Sequence, residues 1–132
     1  MRSNWVCLAT IGLAAATSAC VLAAAGAGAG GAIYVTERGV QAVVATPVEQ
    51  TFQAARAAFR DLEVTEAKST SEQDGLVEKR SLEGKTTDRD VQVDLRTEGS
   101  GTKVDVVVKK SAVTWDKDFA KKLINRIVEL AK

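Results

Sequence analysis

The chain has 132 residues, 45% of them hydrophobic and 27% charged, with 18 Lys and Arg against 17 Asp and Glu. That length allows one domain with a working core and a thin net stability of about 5–15 kcal/mol. The near-neutral charge argues against a nucleic-acid binder or a polybasic headgroup sensor, and the absence of histidine removes the commonest general base and metal ligand. No cofactor or metal is expected.

The first nineteen residues have the parts of an export signal. Arg2 forms a short basic region, Trp5 to Ala16 an apolar stretch, and Thr17-Ser18-Ala19 a cleavage region of small side chains before Cys20. Ala19 and Ser18 suit the narrow active site of a lipoprotein signal peptidase. Thr17 departs from the leucine usual at its position. The expectation is cleavage between Ala19 and Cys20, with acyl chains on the Cys20 thiol. Loss of Arg2 with the signal leaves 17 cationic and 17 anionic side chains. Val21 rather than aspartate after Cys20 favours the outer membrane, on its periplasmic face, in a Gram-negative cell.

Two alternatives stand beside lipidation. An ordinary signal peptidase can cut nearby and release a periplasmic protein. Or nothing is cut, because Trp5 to Val35 carries no charge and exceeds the roughly 20 apolar residues that span a bilayer. Both cysteines, Cys7 and Cys20, lie in this segment, so no disulfide framework is expected beyond it. Residues 20–32 run into a glycine–alanine tract that suits a flexible tether. The domain is expected over 33–132.

Gly39 to Ala45 alternates like a strand. Thr46-Pro47-Val48-Glu49 predicts a helix start, with Thr46 and Glu49 as a capping box and Pro47 at the first helical position. Val48, Phe52, Ala55, Phe59 and Leu62 form one apolar stripe, with Arg56, Arg60 and Asp61 off it. Val64 to Lys68 predicts a short strand, Ser69 to Gly75 a polar turn, and Leu76 to Leu82 a strand charged in its middle. Gly84 to Asp88 is a loop. Val91, Val93 and Leu95, then Val104, Val106 and Val108, make two alternating strands joined at Glu98-Gly99-Ser100-Gly101. Thr114 or Asp116 can cap a last helix whose stripe is Phe119, Leu123, Ile127 and Leu130, widened by Ile124 and Val128.

The expected order is β-α-β-β-β-β-α. Amphipathic helices and a one-faced antiparallel sheet bury their apolar faces only against each other. This predicts an α+β two-layer sandwich, with four to five strands against two helices.

Several local words resemble the DUF3568 family of small bacterial lipoproteins of unknown function. They are Cys20 before the glycine–alanine tract, Tyr34 four residues before Arg38-Gly39, and the Pro47-Val48 helix with Ala54, Ala55 and Ala58. The Val91-to-Val108 hairpin and the Thr114-Trp115 helix entry also match. Leu62-Glu63 stands where the family tends to have Leu-Gly, and Asp116-Lys117 where it tends to have Gly-Asp. The resemblance implies the fold and the anchor, and no catalytic activity.

Candidate chemistry is sparse. Asp116 with Asp118, or Asp88 with Asp90, can be imagined as paired carboxylates for acid–base work or Ca²⁺, but each is more simply a helix-start or loop feature. The glycine tract lacks the Lys-Ser/Thr that follows a phosphate-binding loop. Trp115 is a candidate partner surface, or a staple for the last helix. These observations predict a non-enzymatic, membrane-anchored envelope lipoprotein that binds another envelope component. The alternative is a periplasmic carrier of a lipid or other apolar ligand between helix and sheet.

Overall fold

The computed structural model describes residues 32–132. The signal segment, the expected cleavage at Ala19, the lipidation site Cys20 and the tether up to Gly31 lie outside the described residues. Within them the elements run β1 (Ile33–Val35), β2 (Gly39–Val44), α1 (Val48–Asp61), β3 (Thr65–Asp74), β4 (Val77–Lys85), β5 (Asp90–Glu98), β6 (Gly101–Ser111), β7 (Thr114–Trp115) and α2 (Lys117–Leu130). Ile33–Val35 lies in the apolar run that was one candidate membrane span. It is paired with β2 as a strand instead, so that span cannot reach Val35.

The sheet follows from the alternation. Val91, Val93 and Leu95 on β5 and Val104, Val106 and Val108 on β6 point to one face and are buried there, as are Val40, Ala42 and Val44 on β2. The order is β1-β2-β6-β5-β4-β3 with every neighbour antiparallel, and β7 pairs with the far end of β6. Both helices cover the same face. α2 lies over β2 and β6, and α1 reaches from β4 and β5 to the β3 edge. Phe52, Phe59, Leu82, Leu95, Leu123, Ile124 and Ile127 fill the space between the layers.

The two-layer α+β architecture is as expected, but the sheet has seven strands rather than four to five. β1 and β7 are too short to show a period in sequence; pairing alone makes them strands. β3 was expected to stop at Lys68. It runs on through the polar stretch 69–74, because as an edge strand it needs no apolar face, and all ten of its residues are exposed. Likewise β4 continues to Lys85 through the predicted loop. At Gly84 an added Cβ would lie 2.7 Å from both Phe59 and Val64, so glycine lets the α1 end press onto the strand.

The expected capping box of α1 does not form. Pro47 is the N-cap, its carbonyl accepting from Thr51 N–H at 3.0 Å, and no side chain caps the helix. Thr46 lies one step too far out. Its hydroxyl meets that of buried Thr51 at 2.9 Å, and its carbonyl accepts from the hydroxyl of buried Thr102 at 2.7 Å. Glu49 is drawn to Arg80 on β4 at 2.5 Å instead. The buried face of α2 turns slightly from the predicted stripe. Ala120, Leu123, Ile124, Ile127 and Val128 are buried, while Phe119 and Leu130 are half-buried at its margin.

The C-terminus of α1 is a Schellman motif. Val64 N–H donates to Phe59 O at 2.8 Å and Glu63 N–H to Arg60 O at 3.2 Å. Glu63 therefore sits at φ +58°, a left-handed conformation that costs an L residue about 1–2 kcal/mol.

Glu63→Gly should raise the unfolding free energy by up to about 1 kcal/mol, read as a higher denaturation midpoint, since glycine adopts this φ without a Cβ penalty. Phe52→Ala should cost about 3–5 kcal/mol in chemical denaturation, because Phe52 is 5% exposed between helix and sheet. Arg56, which lies over the Phe52 ring and pairs with Glu66 at the surface, should cost far less when replaced by alanine.

Candidate functional site

Among the described residues the helices leave one sheet face uncovered. Strand register arranges its side chains in rows across the sheet. One row is Lys103 (β6), Arg96 (β5), Lys79 (β4) and Glu72 (β3); the next is Gln41 (β2), Asp105, Asp94, Ser81 and Thr70. Asp94 and Asp105 stand directly opposite one another on β5 and β6. Ser81 Oγ donates to Asp94 at 2.7 Å, Gln92 Nε2 to Asp94 at 2.9 Å, and Gln41 Nε2 to Asp105 at 2.9 Å. The neighbouring cationic row offsets the repulsion of the two carboxylates.

Two shallow depressions lie on this face. One is lined by Thr70, Glu72, Lys79, Ser81, Asp94 and Arg96, the other by residues including Glu83, Gln92, Val107 and Lys109. Their linings offer hydrogen-bonding and charged groups. The Asp94–Asp105 pair escaped the sequence reading, although the Glu98-to-Gly101 turn fixes the β5–β6 register and so places the two opposite each other.

At the corner where β7 meets α2 lies Trp115, half-buried. Lys109 Nζ is 5.0 Å and the Arg38 guanidinium 5.8 Å from its ring centroid, a cation–π arrangement. Asp116 follows as the N-cap of α2. Its Oδ1 accepts from Phe119 N–H at 2.9 Å and its Oδ2 from Arg89 Nε at 2.7 Å. Arg89 also pairs with Asp88 at 2.9 Å and lies 5.0 Å over Phe119. Asp88 and Asp116, each weighed in sequence as half of a carboxylate pair, thus share one guanidinium that ties the 86–89 loop to α2. Among the described residues no cluster of three or more acidic or cysteine side chains is placed to hold a metal.

The Phe119 N–H bond, then the Arg89 bond, hold the Asp116 carboxyl below its ordinary 3.8, while Asp116 raises the Arg89 guanidinium.

The protein-family comparison matches residues 4–129 to "Protein of unknown function (DUF3568)". The chain belongs to the DUF3568 family. No curated protein and no solved structure matches it. The DUF3568 match runs through the hairpin, the Trp115 corner and almost all of both helices.

Because Asp116 ionises more readily when folded, the folded state binds fewer protons near pH 4. Its contribution is full above the unfolded carboxyl value and is lost as pH falls through the lower folded one. Asp116→Ala should cost about 1 kcal/mol at neutral pH through loss of the cap. Asp116→Asn, which can still cap, should cost less. In both, the gap to wild type should narrow in denaturant titrations as pH drops from about 5 towards 2; a gap independent of pH would refute the role of the carboxylate.

Proposed function

We propose that this protein is a non-enzymatic envelope lipoprotein, held to a membrane by acyl chains on Cys20. Its domain acts as an adaptor for another envelope component, and the outer membrane facing the periplasm is its site in a Gram-negative cell. The observation that carries the adaptor reading is the division of the sheet. One face is filled by helix side chains, while the other presents ordered rows of charged and amide groups. Such rows suit a polar protein surface. The carrier alternative needs room for an apolar ligand between helix and sheet, and Phe52, Phe59, Leu82 and Leu123 occupy that space. The anchor rests on Thr17-Ser18-Ala19-Cys20 and the apolar run before it. Among the described residues no helix is long and apolar enough to cross a membrane.

The test takes protein from native membranes. Intact mass should show loss of residues 1–19 and added acyl mass on Cys20, and a labelled fatty acid should be incorporated. Cys20→Ser should remain uncut and unlabelled. It can stay membrane-bound through its apolar segment, so fractionation alone is uninformative. Wild type that retains Arg2 and takes up no label would sink the anchor. For the adaptor, a photoreactive side chain at Gln92 on the uncovered face should capture a discrete protein, and one at exposed Asn125 on α2 should not. Equal capture from both, or a stoichiometric co-purifying lipid, would overturn it.

A further inference from the structure

We propose that β3 is a self-complementary edge through which two copies of this chain pair antiparallel about a two-fold axis at Thr70, joining their sheets into one. The inference concerns the domain and does not depend on the anchor.

Among the described residues β3 ends the sheet, and all ten of its residues are exposed. Its direction of pairing is set by the β3–β4 hairpin. Gly75 at φ +60° opens a two-residue turn closed by the Asp74–Val77 pair. The closing pair of such a turn exchanges backbone hydrogen bonds, and antiparallel ladders alternate from there. Asp74, Glu72, Thr70 and Lys68 therefore spend their N–H and C=O groups on β4. Those of Gln73, Ser71 and Ser69 point outward to the open edge. A second β3 can bond only where these odd-numbered residues face one another.

The sequence Lys68-Ser69-Thr70-Ser71-Glu72 satisfies that rule about its centre. With Thr70 opposite Thr70 of the second copy, Ser69 faces Ser71 and forms the hydrogen-bonded pairs. Lys68 faces Glu72, twice by symmetry, in non-hydrogen-bonded pairs whose side chains approach most closely. The charges also extend into each sheet. Within one copy Lys68 stands beside Glu83 and Glu72 beside Lys79. Across the junction the uncovered face would then read Glu83, Lys68, Glu72, Lys79, alternating in sign. A lysine on an edge strand usually repels other strands; here the symmetric glutamate converts it into a selector for a second copy. The bulge between Glu66 and Lys68 lies outside the five paired residues and limits the junction to them.

The experiment uses the full chain in native membranes with mild oxidation. Thr70→Cys places its thiol opposite itself, within the Cα separation a disulfide needs. It should form a covalent dimer above the wild-type background from Cys7 and Cys20. Gln73→Cys, whose copies would lie roughly 20 Å apart along the strands, should not. On the Thr70→Cys background, Lys68→Glu should lower the dimer yield several-fold, and adding Glu72→Lys should restore it in part, since the swapped charges pair across the junction but stand beside like charges on β4 within each copy. Far-UV circular dichroism should be unchanged, since every substituted side chain is exposed. Equal cross-linking at positions 70 and 73, no dimer above background, no rescue by the charge swap, or a cross-link to a different protein would each overturn the proposal.

Discussion

Burial of two helical stripes against one face of an antiparallel sheet is the interaction on which this structure depends. Without histidine, and with no cysteine after Cys20, the domain has no metal–imidazole or disulfide staple and relies on packing. β2, β6, β5 and β4 supply a floor of valine and leucine, and α1 and α2 the roof. The helices also pack on each other, and Arg126 of α2 reaches Asp61 of α1 at 2.7 Å. A domain of this size has little stability to spare, so removing any of the largest fully enclosed side chains, Phe59, Leu82 and Leu95 among them, is costly.

Charge is used mainly at the rim of that core. Arg80 lies on the helix side of β4, 5.0 Å over Phe52, and pairs with Glu49 and Glu78. It closes the gap where α1 begins. Arg89 does the same where α2 begins. In each case an aliphatic stem and a planar guanidinium cover an aromatic ring while the head satisfies carboxylates. The equal numbers of cations and anions beyond Arg2 thus reflect local pairing of opposite charges as well as a neutral surface.

Placing both helices on one side leaves the other side, and the β3 edge, as the surfaces with order but no partner among the described residues. Their organisation comes from register. A one-residue slip anywhere in β4, β5 or β6 would send the valines to solvent and scatter the rows of charge. The same apolar alternation that builds the core therefore fixes which polar groups stand side by side on the exposed face.

By itself the sequence determined the α+β class, the positions of α1 and α2 and the β5–β6 hairpin, and it narrowed the α2 cap to Thr114 or Asp116, of which the structure uses Asp116. These rest on local periodicity and local hydrogen bonding, which one segment carries within itself. Only the tertiary structure decided the rest. β1 and β7 are strands because β2 and β6 offer them edges, and residues 69–74 are a strand because β4 pairs with them despite their polarity. Glu49 left its expected capping role because Arg80, thirty-one residues later, competes for its carboxylate. Glu63 adopts a left-handed turn because Val64 must fold back onto Phe59. Asp94 and Asp105 meet through the hairpin register. In each case the deciding partner is distant in the chain or on another strand, and no local pattern encodes the free energy of that encounter.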